Sequence, residues 1–212
     1  MIYQFQNGEI RNEFNPVYNY YIYEIDLDID LEKLKNFILK IEPKIKEKYP
    51  HSADGYTGLG DSLTSRFQYY NLLQMQETSF LKEVFRRQHD NFLNDLGYKI
   101  EENYYSQCWA NVMRKGEKIK SHVHGLDNYC YLGGHLCVYS NNTNTYYKSP
   151  YYKNVFSTKN KNGKLTLFPN WLEHYTDEVN DDLRITIAFD IINEESYKKD
   201  IFDNMKNHWE KI

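Results

Sequence analysis

The sequence predicts a mainly β fold with supporting helices, in which antiparallel strands form a sandwich or barrel. From Tyr98 onward, short strand-like runs dominate. Turn chemistry breaks them every ten or so residues, at Lys115-Gly116, Gly133-Gly134, the Asn-rich SNNTNT segment and KNKNGK at 159–164. The length, 212 residues, suits one domain with a substantial core. The expected organisation is a single domain, 1–212, with a helix-rich support and lid region at 1–97, a β core at 98–193 and a C-terminal helix at 194–212.

Residues 17–29, VYNYYIYEIDLDI, end with Ile25, Leu27 and Ile29 alternating against Asp26 and Asp28, which predicts a half-buried strand. Asp30 can cap a helix that carries Leu34, Phe37, Ile38, Ile41 and Ile45 at helical spacing. Pro43 should kink or restart that helix, and Tyr49-Pro50 should close it. Residues 51–76 mix Gly, Ser and Asp with aromatics and show no sustained period, so they are expected to form a long loop, a candidate lid. A second helix should start from a cap at Thr78 or Ser79, with Leu81, Val84, Phe85, Phe92, Leu93 and Leu96 on one face. Gly97 lies just past its end. Ile201, Phe202, Met205 and Trp209 keep helical spacing in the last segment.

Net charge is −4 with both signs scattered, and no basic stripe is present, so binding to nucleic acid is not expected. The three cysteines, Cys108, Cys130 and Cys137, show no CxxC spacing, which argues against a disulfide framework or a zinc finger and fits a reduced, cytoplasmic compartment. The N-terminal residues lack the regions of a signal peptide, and no run of eighteen apolar residues occurs, so no membrane association is expected.

The chemistry concentrates in two stretches. His122 and His124 sit two apart in strand-like surroundings, so both imidazoles face one side, and His174 ends a later strand-like run. Three neutral imidazoles can occupy one face of a metal octahedron and leave the other open, as metal-assisted oxygen chemistry requires. Ten residues beyond His174, Arg184 opens the run RITIAFD, where Arg184, Thr186 and Ala188 share one face and Ile185, Ile187 and Phe189 the other. An arginine facing inward would be a buried charge that calls for an anionic companion. Asn111 shares a face with Trp109 and Met113. Tyr146, Tyr147, Tyr151 and Tyr152 cluster in a segment expected to be a loop beside the mouth.

WANVMRKGEKIKSHVH followed by GKLTLFPNWLEHYTDEVNDDLRITIAFD resembles the iron(II) and 2-oxoglutarate dependent oxygenases, in particular the prolyl-4-hydroxylase-like group. The resemblance covers roughly the second half of the chain. It implies a double-stranded β-helix, the jelly-roll or cupin-like barrel, over 98–193, with Fe(2+) and 2-oxoglutarate as cofactors. It implies His122 and His174 as metal ligands and Arg184 and Thr186 on the far carboxylate of 2-oxoglutarate; Asn111, and Tyr139 or Tyr131, are candidate further contacts to that cosubstrate, with a purely structural role as the alternative for each. The implied activity is hydroxylation of a C–H bond in a small-molecule or peptide substrate, with release of succinate and CO2.

Where that family has Asp, this chain has His124. The expected metal set is therefore His122, His124 and His174, with Asp127 from the following turn, or water, as alternatives for the third position. A rival resemblance is to cupins. Five residues separate Gly116 from His122-x-His124, and five separate Gly163 from Pro169, with His174 five positions beyond that proline. The cupin pattern wants Glu near 128 or 129, where this chain has Asn128 and Tyr129, and Gly at 171, where it has Trp171. It also assigns no task to Arg184. A cupin-type metal enzyme without 2-oxoglutarate, or a barrel that binds without catalysis, are the alternatives.

Overall fold

A computed structural model describes residues 1–50, 57–124, 131–140, 142–150, 154–180, 182–199 and 207–212. Its strands are β1 (Ile2–Gln6), β2 (Asn19–Asp26), β3 (Tyr104–Arg114), β4 (Leu132–Tyr139), β5 (Asn144–Lys148), β6 (Val155–Lys159), β7 (Lys164–Pro169), β8 (His174–Thr176), β9 (Leu183–Asn193) and β10 (Glu210–Lys211). Helices are α1 (Leu31–Lys48), α2 (Leu81–Asp95) and the single turn α3 (Glu194–Tyr197). A large sheet ordered β1-β2-β7-β4-β9-β3-β10 faces a small sheet ordered β6-β5-β8, and the paired strands in both are antiparallel. This is a double-stranded β-helix.

Strand β9 shows how the sequence produces this layering. It pairs with β3 from Tyr104↔Asn193 to Arg114↔Leu183 and with β4 on its other edge. One face carries Ile185, Ile187, Phe189 and Ile191 into the main core, where Phe189 stacks on Phe85 of α2 with ring centroids 3.9 Å apart. The opposite face carries Arg184, Thr186, Ala188 and Asp190 into a cavity between the sheets. Both faces are covered, so nearly every residue of the strand is buried. A second cluster, Tyr20, Ile22, Tyr147, Phe168 and Leu172, fills the rest of the space between the sheets.

The helices cover the outer face of the large sheet. Asp30 caps α1 through its side chain, which accepts from the Lys33 backbone N–H at 2.9 Å, and the helix runs continuously through Pro43. Helix α2 begins without a side-chain cap. Thr78 instead donates its hydroxyl to the Leu72 carbonyl, and Thr78 and Ser79 supply backbone carbonyls to the first turn. Its end follows the pattern the sequence predicts. Tyr98 N–H bonds Leu93 O at 2.9 Å, Gly97 N–H bonds Asn94 O at 3.0 Å, and Gly97 has φ +73°. Only a residue without Cβ adopts that backbone cheaply.

Several expectations change. The β core is not confined to 98–193, because β1 and β2 extend the large sheet through β2–β7 pairing and β10 closes its far edge. Among the described residues after Asn193, α3 is the one α-helical turn; Trp209 is buried and leads into β10, while Ile201, Phe202 and Met205 lie outside the described residues. Within 57–76 two short 3-10 turns, Thr64–Arg66 and Leu72–Gln74, pack against β3, where fully buried Arg66 donates to the Tyr49 and Ser62 carbonyls. Gly133-Gly134 is not a turn but lies inside β4. Tyr146 and Tyr147 belong to strand β5 rather than a loop: Tyr147 is buried between the sheets, and Tyr146 stacks on Tyr175. Tyr151 and Tyr152 lie outside the described residues.

Candidate metal and anion site

The segment carrying His122 and His124 is held by main-chain bonds. His122 and His174 form a reciprocal antiparallel pair, with His122 N–H to His174 O at 3.0 Å and His174 N–H to His122 O at 2.9 Å. Residues paired in this way project their side chains on the same face, so the two rings meet, with centroids 4.3 Å apart. His124 is fixed two residues on by its N–H to Asn170 O at 2.9 Å, and Asn170 Nδ2 returns a bond to His124 O at 3.1 Å. The result is a cluster in which one ring nitrogen from each of His122, His124 and His174 lies within 4.8 Å of the others.

The chemistry of the cluster fits a cation. Nδ1 of His122 faces Lys120 O at 2.8 Å, Nδ1 of His174 faces Leu172 O at 2.9 Å, and Nδ1 of His124 faces Asp190 Oδ1 at 2.7 Å. All three partners accept, so each Nδ1 carries the proton and each Nε2 keeps its lone pair. Burial disfavours the charged form of two of the rings: it pushes His122 down to about 4 and His174 well below the ordinary histidine value, with the neighbouring imidazoles adding to both shifts. Three neutral rings with free lone pairs are a ligand set for a transition metal.

The three histidines open onto a cavity of about 420 Å³, also lined by Asn111, His135, Arg184, Thr186 and Asp190 and, on another side, by Phe67, Trp109 and Trp209. Arg184 is fully buried, and burial pulls its pKa below the ordinary arginine value. Its Nη1 donates to Met113 Sδ at 3.1 Å, its Nε has no partner, and no carboxylate lies in ion-pair range of it among the described residues. A buried guanidinium left in this state costs roughly several kcal/mol unless an anion joins it. Thr186 accepts from Asn111 Nδ2 at 3.3 Å, and Asn111 Oδ1 accepts from Thr64 Oγ1 at 2.6 Å. Both ends of the Asn111 amide are thus engaged with protein groups while the residue still lines the cavity.

Tyr139 is not in the site. Plain alternation from His135 would turn it inward, but the β4–β9 register shifts between Cys137 and Tyr139, with Cys137 opposite Thr186 and Tyr139 opposite Ile185. The extra residue of this bulge, Val138, sends Tyr139 to the helix side, where Lys35 Nζ stands 4.9 Å from its ring centroid. Tyr131 also points away, against His89 of α2. Asp127 lies outside the described residues. Sequence reasoning missed Asp190, Gln107 and His135, although alternation along β9, β3 and β4 places each on the inward face.

Residues 133–190 match the family model described as "Putative 2OG-Fe(II) oxygenase". The fold is similar to that of a prolyl-4-hydroxylase from Pseudomonas putida, at 7% identity over 82% of this chain and 88% of that one, with a TM-score of 0.55. It is similar to a viral collagen prolyl hydroxylase from Paramecium Bursaria Chlorella virus-1 in its 2OG complex, at 14% identity over 80% and 94%, TM-score 0.53. It is also similar to a Trichoplax adhaerens prolyl hydroxylase in complex with a hypoxia inducible factor oxygen degradation domain peptide fragment, at 12% identity over 82% and 84%, TM-score 0.52. At these identities the structural likeness concerns the fold alone. No curated protein matches the chain. The matched segment covers less than half of the chain; it runs from β4 to β9 and includes His174, Arg184 and Thr186, so over this stretch the chain is similar to the 2OG-Fe(II) oxygenases.

Proposed function

We propose that the chain hydroxylates a C–H bond of a small-molecule or peptide substrate, with iron(II) held by His122, His124 and His174 and 2-oxoglutarate anchored by Arg184 and Thr186. The observation that carries this is the pairing, in one cavity, of three imidazoles with free Nε2 lone pairs and one buried guanidinium that has no counter-ion among the described residues. The bound cofactors supply the oxidising chemistry, in which O2 is reduced, 2-oxoglutarate leaves as succinate and CO2, and the substrate gains a hydroxyl.

The protein's own residues position and exclude. Arg184 offers its planar fork to a distal carboxylate, a bidentate match that a lysine could not reproduce. Asn111 orients the Thr186 hydroxyl by donating to its oxygen, leaving the Thr186 proton free for an anionic acceptor. Phe67 and Trp109, with ring centroids 5.5 Å apart, and Trp209 give the cavity an apolar wall that excludes water and suits an apolar part of the substrate. A cupin-type reaction without 2-oxoglutarate would leave Arg184 buried with nothing to bind.

No described helix is long and apolar enough to cross a membrane. We place the chain, as one domain, in a reducing cytoplasmic compartment, where buried free thiols such as Cys108 and Cys137 persist. The test is iron-dependent succinate release by the purified protein in the presence of 2-oxoglutarate. Release that requires iron and disappears in Arg184→Met supports the proposal, and absence of both 2-oxoglutarate binding and turnover refutes it.

A further inference from the structure

We infer that Asp190 is a positioning residue of the metal site, whose buried carboxylate behind His124 supplies the negative charge that a directly ligating carboxylate would otherwise bring. The inference rests on the three-histidine site proposed above and concerns how that site balances its cation. Where the family pattern has Asp, the chain has His124, so three neutral rings face the ion, and the described group that could hold it contains no carboxylate.

The three rings are not held alike. His122 and His174 each donate Nδ1–H to a main-chain carbonyl, whereas His124 donates to Asp190 Oδ1 at 2.7 Å. Both side chains of this pair are 7% exposed, so the contact is little screened by solvent. The second oxygen, Oδ2, accepts from Gln107 Nε2 at 2.8 Å. Gln107 is the cross-strand partner of Asp190 on β3, and Gly133 is its partner on β4. The inward space beside Asp190 is therefore empty on one side and filled by a donor on the other. The His124 ring occupies the empty side: a β-carbon at Gly133 would come within 2.9 Å of His124 Nδ1, the nitrogen that bonds Asp190. Three strands thus contribute one residue each to hold a carboxylate against the far nitrogen of a single ligand.

An acceptor of full charge at Nδ1 raises the electron density at Nε2 and fixes the ring's orientation, and losing such a partner typically costs about 10–100-fold in metal affinity. The carboxylate of the family pattern is moved one bond network back rather than lost. It also explains why Gln107 turns its amide nitrogen inward: the opposite rotamer would set its oxygen against Oδ2.

The experiment is a Mn(II) titration of the full-length metal-free protein, followed by calorimetry, in a cycle of Asp190→Asn, His124→Asp and the double variant, with His122→Ala as control. Asp190→Asn should weaken Mn(II) binding at least tenfold while leaving the melting temperature of the metal-free protein within a few degrees. In the His124→Asp background, where the carboxylate ligates directly, Asp190→Asn should not weaken binding, because it removes a neighbouring like charge. Equal losses in both backgrounds, or unchanged affinity in Asp190→Asn, would overturn the inference. Undiminished binding by His122→Ala would sink the three-histidine site itself and the inference with it. Should Asp190→Asn fail to fold, nuclear magnetic resonance of the zinc-loaded natural protein decides. The His124 Nδ1 proton must resonate clearly downfield of those of His122 and His174, and three equivalent resonances would overturn the assignment.

Discussion

Gly133 lies under the ring of His124, so close that a β-carbon on the glycine would stand 2.9 Å from His124 Nδ1 and 3.2 Å from Phe168 Cε2. Gly133→Ala should therefore push the imidazole off its seat. The fold should survive, with a loss of about 1–3 kcal/mol typical of overpacking, while Mn(II) or Co(II) affinity falls by about tenfold or more. Metal titration alongside urea unfolding separates the two effects.

Removing the guanidinium should uncouple stability from cosubstrate binding. Arg184→Met takes away a buried charge without an ion-pair partner among the described residues, so the ligand-free protein should be as stable as the natural one or more so, by up to about 1–4 kcal/mol. The natural protein should gain about 2.7 kcal/mol from 2-oxoglutarate at a hundred times its Kd, and Arg184→Met should gain none. Arg184→Lys should recover little, since an ammonium cannot match the two-pronged geometry. Thermal unfolding with and without 2-oxoglutarate measures all three.

Burial drives His135 down to about 3, with Arg184 and His124 adding to the shift. As the pH falls below the unfolded value of 6.5, the unfolded chain takes up a proton that the folded chain refuses, so stability is intact above that value and declines towards pH 3. The decline from this residue should run at about 1.4 kcal/mol per pH unit. Urea unfolding at pH 7, 5 and 4 should show it, and His135→Gln should flatten the slope.

Gly97 offers a control away from the cavity. Its φ of +73° is strained for any L side chain, yet a β-carbon there meets nothing within 4 Å. Gly97→Ala should cost about 1 kcal/mol through backbone strain alone and leave metal and 2-oxoglutarate affinities unchanged.

What the sequence revealed of this site followed the regularity of its strands. In β9 the period of two is unbroken from Arg184 to Asp190, so the cavity face and the helix face could be separated from RITIAFD alone, and Asp190 was legible by continuing that count. Tyr139 was misplaced because a bulge interrupts the same count in β4, and nothing in LCVYS distinguishes a bulge from a regular strand. The glycine pair at 133 and 134 looked like a turn because turns and close approaches both demand the missing side chain. β10 was hidden for another reason: two residues are too few to show any period, and they are held by pairing with Tyr105 and Ser106.

The irregularity in β4 also sets how the chain can tolerate change. Val138 and Tyr139 both belong to the helix side, so deleting Val138 would leave Tyr139 opposite Ile185 and His135 opposite Ala188. A lost codon here would straighten the strand without exchanging which side chains look into the cavity. The same loss between Arg184 and Asp190, where no slack exists, would turn one half of β9 inside out.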